Sequence, residues 1–242
     1  MQDTIANRTV LAQFMGLVHL IRPKQWIKNG FVAAPLIFSG EFLNPEALEQ
    51  TVWAIMLFCL ASSSTYILND LHDVEADRKH PKKSQTRPLA KGIVSISMAW
   101  GLYGLINSIL LLSVLFIPKI MLVIAAYIVL TCAYTFVLKE QPIVDLFVIS
   151  IGFVLRVYAG AVALAVPVSS WMFITTFCLA LYLAAIKRRQ EYVQAGIHSR
   201  KVLEKYSMPL LDYYAQMSAI GALMFYSMFV LSSKPQLVMT IP

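Results

Sequence analysis

Asn69, Asp70, Asp73 and Asp77 are the residues of this 242-residue chain whose types and spacing best suit chemistry. On a helix, at 100° per residue, the three aspartates fall within an arc of about 60° and Asn69 lies about 40° beyond it, so four oxygen-bearing side chains face one way. Carboxylates crowded on one face repel one another unless a cation sits among them. Hard oxygen donors of this kind suit Mg2+, which commonly bridges to substrate phosphates. Asp70, Asp73 and Asp77 are therefore the expected catalytic and metal-holding face, while His72 and Glu75 point away from it. Between Arg78 and Lys91 the chain then places Arg78, Lys79, Lys82, Lys83, Arg87 and Lys91. Carboxylates for a metal, followed by cations for phosphate oxygens, describe a site for a metal-bound diphosphate. The plainer alternative is a solvated acidic helix end just outside a membrane.

The elements that position these residues are membrane helices. With 58% apolar residues, 14% charged and a mean hydropathy of +0.67, the chain is an integral membrane protein and the expected fold is an all-α polytopic helical bundle. Apolar stretches near residues 25–43, 50–68, 94–116, 119–138, 143–166, 169–186 and 212–233 predict about seven transmembrane helices. The first carries Trp26, Lys28, Asn29 and Pro35, which suits a kinked, interior-facing helix. Val10 to Ile21 is too short to span and fits an interfacial amphipathic helix. Nearly all Lys and Arg fall before the first span or in the 69–93, 139–142 and 187–211 loops. That asymmetry puts the N-terminus and the aspartate-rich loop on the cytoplasmic side of a plasma membrane. The net charge of +7 is thus mainly a topology signal, with some of it available to anionic lipid or phosphate, and no nucleic-acid partner is expected. Cys59, Cys132 and Cys178 lie within apolar spans and read as small core residues. The histidines lack zinc-like spacing, there is no glycine-rich phosphate loop, and the N-terminus does not read as a removable signal. Residues 1–242 read as a single domain.

Other candidates lie along the chain. A lipid-facing charge costs at least about 2.5–3.5 kcal/mol at mid-bilayer, so intramembrane charges draw notice. Asp145 and Arg156 share one helix face, about 20° apart in direction and roughly 16 Å apart along the axis. Either both face substrate, Asp145 beside the metal site and Arg156 deeper on a phosphate or carboxylate, or both make structural ion pairs. Lys187 and Arg188 end the sixth span and could overhang a cavity entrance or serve topology alone. Lys28 and Asn29 are the deeper residues of the opening basic stretch, and Lys139, with Tyr134, lies at the end of the fourth span.

Four stretches, RPKQWIKN (22–29), YILNDLHDVEADRKHP with RPLAKG (66–81 and 87–92), LKEQPIVDLFVISIGFVLRVYAGAVA (138–163) and KRRQEY (187–192), resemble the UbiA-type membrane prenyltransferase superfamily. SRKVLEKYSMPLLD (199–212) adds a weaker fifth. N-D-x-x-D-x-x-x-D, here Asn69 to Asp77, is similar to that superfamily's first aspartate-rich motif. Within it, the chain resembles the decaprenyl-phosphate phosphoribosyltransferases. The resemblance implies a helical bundle with a cavity open to cytoplasm and lipid, Mg2+ dependence, and transfer of 5-phosphoribose from 5-phosphoribosyl 1-diphosphate to a polyprenyl phosphate such as decaprenyl phosphate, releasing diphosphate. It implies Asp70, Asp73 and Asp77 on the metal, with Asn69 on their face. Lys82, Lys83 and Arg87 would meet the leaving diphosphate, and Lys28, Arg156 or Lys187 the lipid phosphate.

Two departures from the family pattern stand out. A second D-x-x-x-D motif, usual in members that prenylate aromatic rings, is halved here, because Asp145 is followed at the matching spacing by Ile149. Family members typically have nine spans against the seven read here, so the chain is expected to be shortened at its C-terminal end or to manage with a smaller bundle. The rival readings are transfer of a prenyl diphosphate to an aromatic or other small acceptor, and a lipid or ion transporter.

Overall fold

The computed structural model describes residues 2–81, 83–167, 169–195 and 201–233, and Lys82 lies outside them. The described chain is helical throughout: α1 (Gln2–Leu20), a 3-10 stretch (Pro23–Ala33), α2 (Ala34–Ser39), α3 (Pro45–His72), α4 (Val74–Lys79), α5 (Lys83–Thr86), α6 (Ile96–Ser113), α7 (Pro118–Phe136), α8 (Val144–Ala163), α9 (Ser170–Ala195) and α10 (Met208–Ser233). Local chemistry sets several starts. Asn44 accepts the Glu46 N–H at 3.1 Å ahead of Pro45, and Ser95 accepts the Met98 N–H at 3.1 Å to open α6. Gly40, at φ +82°, closes α2 in the left-handed conformation that suits glycine.

Among the described residues six helices, α3 and α6 to α10, are long and apolar enough to cross a bilayer. The seventh predicted span, 25–43, is not one of them. Its residues instead form the 3-10 stretch and the six-residue α2, not one continuous α-helix of spanning length. The physical reason is the polar side chains that made this stretch the odd one out. Asn29 is fully buried and donates to Cys59 Sγ and Ser62 Oγ, both at 3.2 Å. Trp26 Nε1 donates to Ser63 Oγ at 3.1 Å, and Ser63 Oγ donates to the Ile21 carbonyl at 3.0 Å. Residues 21–29 are thereby fastened along α3 by side-chain hydrogen bonds rather than by the regular packing of a second long helix. Helix α1 is longer than the Val10–Ile21 segment expected. It buries Gly16 and Leu20 and turns Val10, Phe14 and Val18 outward, as an interfacial helix would.

The chain divides into two compact units, residues 1–30 with 52–128 and residues 31–51 with 129–242. In the first, Ser64 and Asn107 tie α3 to α6 through an Nδ2–Oγ bond of 2.8 Å, and Phe58 packs on Tyr127 with ring centroids 5.2 Å apart. In the second, α8 packs on α9 and α9 on α10. Leu146, Leu181, Ala184, Val202, Leu203, Tyr206 and Leu211 form its core cluster. Outward-facing Leu105 and Leu112 of α6, Leu122 and Val129 of α7, and Ile220 and Met224 of α10 are strongly exposed, a distribution suited to lipid contact.

Gly160 of α8 allows the closest approach in the second unit, since a Cβ there would land on the Val32 carbonyl oxygen and against Pro35. Gly160→Ala therefore forces the 3-10 stretch away from α8 at a cost of about 1–3 kcal/mol, and the melting temperature in detergent falls by several degrees. Gly101→Ala, where a Cβ meets open space in the interior of α6, does not lower that temperature and raises it slightly through the better helix propensity of alanine.

Candidate active site

Helix α3 ends at His72, and Asp73, at φ −91° and ψ 3°, opens α4. The backbone bonds Asp73 N–H to Asn69 carbonyl (3.0 Å) and Asp77 N–H to Asp73 carbonyl (2.8 Å) carry the chain through this junction. Asp70 and Asp77, both almost fully buried, are bridged by one guanidinium. Arg87 Nη1 pairs with Asp70 Oδ1 and lies 3.1 Å from Asp77 Oδ2. Lys83 Nζ is 3.1 Å from Asp77 Oδ1, and Arg22 Nη2 is 2.5 Å from Asp70 Oδ1. The Asn69 side chain also hydrogen-bonds to Asp70.

The predicted face is thus partly redrawn. Asp73 is more exposed than its two companions and lies 2.9 Å from His72 Nδ1, because the helix is interrupted at Asp73 and regular 100° spacing does not continue through it. Among the described residues no three of His, Cys, Asp and Glu are placed to hold a metal ion. Glu75, expected to point away, is exposed and pairs with Arg78 at 2.8 Å.

The cations return to the carboxylates because the loop after α4 is pinned. Lys91 N–H bonds to the Arg87 carbonyl (2.9 Å) and Ile93 N–H to the Pro88 carbonyl (3.0 Å). Gly92 takes φ +78°, and Leu89 and Val94 are buried. Arg22 opens the RPKQWIKN stretch (22–29) and counts toward topology, but nothing in the sequence places it beside Asp70. It lies 48 positions from Asp70, beyond the reach of any helical pattern. The Arg-Pro pair marks the end of the helix before it, but the φ of +52° that Arg22 adopts is not what a residue before proline ordinarily takes, so the sequence carried no signal for this pairing.

Asp77 supplies the fit test for a divalent cation. Neither of its buried carboxylate oxygens accepts a hydrogen bond from the described residues, although Lys83 and Arg87 stand at ion-pair distance. Two hard carboxylates suit Mg2+, which is commonly held by one or two protein carboxylates with the remaining positions filled by water and substrate phosphate.

The second unit spends its charges differently. Asp145 is fully buried and accepts from Arg188 Nε at 2.8 Å and from the Tyr206 hydroxyl at 2.5 Å. Arg188, 2% exposed, also donates to Glu191 at 2.7 Å and to the Tyr134 hydroxyl at 3.1 Å. Tyr206 in turn accepts the Ile143 N–H at 2.7 Å. Ile143 sits at φ +69° and ψ −53°, with Val144 N–H bonded to the Pro142 carbonyl at 2.8 Å, which makes a strained γ-turn. Burial, then the bond to Asp145, pushes the Tyr206 hydroxyl well above the ordinary tyrosine range, so it remains a donor at physiological pH. Of the two roles open to Asp145, substrate contact or a structural ion pair, the structure shows an ion pair, with Arg188 as its partner, because burial demands that their charges be paired. Ile149, at the position of the missing second-motif carboxylate, packs against the core cluster.

The remaining candidates are dispersed. Arg156 is buried, donates to the Gly152 carbonyl at 2.8 Å and stands 5.2 Å from the centroid of the Phe153 ring. Lys187 is exposed, 4.0 Å from Glu191. Lys139 lies in the short turn Leu138–Glu140 and Lys28 in the 3-10 stretch, both half-buried. Asn29, a candidate beside Lys28, is buried and hydrogen-bonded to α3.

A polytopic helical membrane protein with buried carboxylates under a canopy of guanidinium and ammonium groups is the class that fold and site define. The UbiA prenyltransferase family model matches residues 31–241, and the chain belongs to that family. It is 39% identical to the decaprenyl-phosphate phosphoribosyltransferase of Mycolicibacterium smegmatis over 225 residues, covering 90% of this chain and 70% of that protein. It is 36% identical to the enzyme of the same name from Corynebacterium glutamicum, covering 88% and 67%. In three dimensions it is similar to a UbiA homolog from Archaeoglobus fulgidus bound to DMAPP and Mg2+, with a TM-score of 0.71 at 18% identity, covering 89% of this chain and 78% of that one.

The buried pair in the second unit generates its own test. Arg188→Met leaves Asp145 charged and short of a partner, costing about 3–5 kcal/mol. Adding Asp145→Leu restores most of that loss, as unfolding of the single and double variants in detergent will measure.

Proposed function

We propose that this protein transfers 5-phosphoribose from 5-phosphoribosyl 1-diphosphate to a polyprenyl phosphate, with Mg2+, at the cytoplasmic face of the membrane. The observation that carries the reading is the paired carboxylate site of Asp70 and Asp77 under Arg22, Arg87 and Lys83. The similarity to phosphoribosyltransferases over most of the chain supports this choice of donor and acceptor. The halved second motif supports it as well, since Asp145 is engaged by Arg188 and Tyr206 and Ile149 offers no carboxylate.

Asp70 and Asp77 would hold Mg2+ together with diphosphate oxygens, with Asp73 close by in the same motif. When bound, the metal supplies Lewis-acid stabilisation of the charge that grows on the leaving diphosphate. The chain's own cations do the same work from fixed positions. Arg87 and Lys83, already beside the carboxylates, meet the diphosphate oxygens, and because they are partly withdrawn from water their field is stronger than that of free ions. Departure of diphosphate from the anomeric carbon leaves an oxocarbenium-like centre, and an anionic lipid phosphate oxygen attacks it without a strong base. No catalytic histidine is needed. The outward-facing apolar helices keep the protein in the bilayer that dissolves the polyprenyl tail, and the positive-inside distribution puts the 69–93 loop where a soluble, charged donor arrives.

Transfer from a prenyl diphosphate is the second reading, favoured by the fold it shares with a homolog bound to DMAPP and Mg2+. Donor choice separates the two. Purified protein supplied with labelled phosphoribosyl diphosphate, polyprenyl phosphate and Mg2+ should move label into the lipid-extractable phase. Asp77→Asn should lower that rate by about a hundredfold or more. Label retained only from a prenyl diphosphate donor would replace the first reading with the second.

A further inference from the structure

We infer that Arg22 is a further anion-binding residue of the aspartate-rich site, one that serves the Asp70 carboxylate and the substrate's diphosphate in turn. The inference rests on the proposed reading of that site. Two guanidiniums, Arg22 and Arg87, address the same Oδ1 of Asp70, while Asp77 keeps buried oxygens that accept no hydrogen bond from the described residues. Three cations, Arg22, Arg87 and Lys83, thus face two carboxylates. Two like charges on one oxygen repel each other, and the cationic excess favours arrival of an anion. Of the two guanidiniums, Arg87 bridges both carboxylates, so Arg22 is the one whose departure leaves both aspartates paired.

The surroundings of Arg22 suit such an exchange. Its side chain is 27% exposed against 3% for Asp70, so an anion can approach the guanidinium from the solvent side. Its guanidinium carbon stands 5.0 Å from the Tyr66 ring centroid, an aromatic rest for a cation that changes partners. Its backbone, in contrast, is fixed. Arg22 N–H bonds to the His19 carbonyl (3.2 Å) and Gln25 N–H to the Arg22 carbonyl (2.9 Å), while the preceding Ile21 carbonyl accepts from Ser63. The φ of +52° holds an ordinary side chain in a conformation that glycine usually takes. A planar fork on a fixed stem is the geometry for bidentate capture of a phosphate.

Such a dual role has a signature that a purely structural ion pair lacks, because removing Arg22 must move cation and anion binding in opposite directions. In Arg22→Gln the carboxylates lose a resident competitor, so the purified protein binds Mg2+ alone several-fold more tightly. Without the fork it binds inorganic diphosphate, at saturating Mg2+, roughly ten- to a hundredfold more weakly. Arg22→Lys, which keeps the charge and should fold in any case, falls between on diphosphate and leaves Mg2+ affinity near the parent value. Titration calorimetry in detergent reads both affinities. Opposite shifts in Arg22→Gln, or a diphosphate loss confined to that ligand in Arg22→Lys, support the inference. Unchanged affinities, or losses of both in parallel with a lowered melting temperature, overturn it. Asp77→Asn, measured beside them, separates the two levels: if it leaves Mg2+ and diphosphate binding intact, the site itself is misassigned. If it weakens both while Arg22 variants change neither, only the role of Arg22 falls.

Discussion

Charge burial is the constraint on which this architecture depends. Asp70, Asp77 and Asp145 are withdrawn from water, and an isolated ionised carboxylate in such surroundings is too costly to persist. Each must therefore draw a cation to itself, and those cations sit on other parts of the chain. Arg22 comes from the turn after α1, Lys83 from the start of α5 and Arg87 from the position just after it. Arg188 comes from α9. Much of the irregular structure is explained as the means of delivery: the fastening of residues 21–29 to α3, the tight return around Gly92, and the strained turn at Ile143.

The two acidic centres resolve the same constraint differently. Around Asp145 the compensation is complete and closed, with Arg188, Tyr206, Tyr134 and Glu191 joined in one network. Such a network specifies a geometry and offers little to a ligand. Around Asp70 and Asp77 the compensation is lopsided. Cations outnumber these two carboxylates, two guanidiniums share an oxygen, and the Asp77 oxygens, though ion-paired, accept no hydrogen bond from the described residues. An arrangement that is charge-paired yet imperfectly satisfied suits a place where a metal and a diphosphate are to be exchanged, because the incoming groups can improve on the contacts they displace.

Conflicts between local pattern and observed structure concentrate where polar groups sit in apolar sequence. The stretch 25–43 reads as a span when hydropathy is averaged, yet Trp26 and Asn29 find hydrogen-bond partners on α3 and the segment becomes a 3-10 stretch with a short helix. Asp73 reads as one of three equivalent aspartates, yet the helix break places it beside His72 and apart from the bridge that Arg87 makes. In both places the outcome depends on side-chain partners supplied by another segment. Averages over neighbouring residues do not contain that information.

The sequence by itself determined that this is a polytopic helical membrane protein, where five of its membrane helices and most of α3 run, and that residues 69–91 bring carboxylates and cations together. Those properties depend on composition and on spacing within a few turns, which the chain carries locally. Only the tertiary structure decided that Arg22 joins Asp70 across 48 positions, that Arg188 and Tyr206 close upon Asp145 across 43 and 61, and that Asn29 bonds to Cys59 and Ser62 on α3. The physical reason is that a charge or an amide specifies only the kind of partner it needs. Which residue answers is set by how loops close and helices pack, a property of the whole fold.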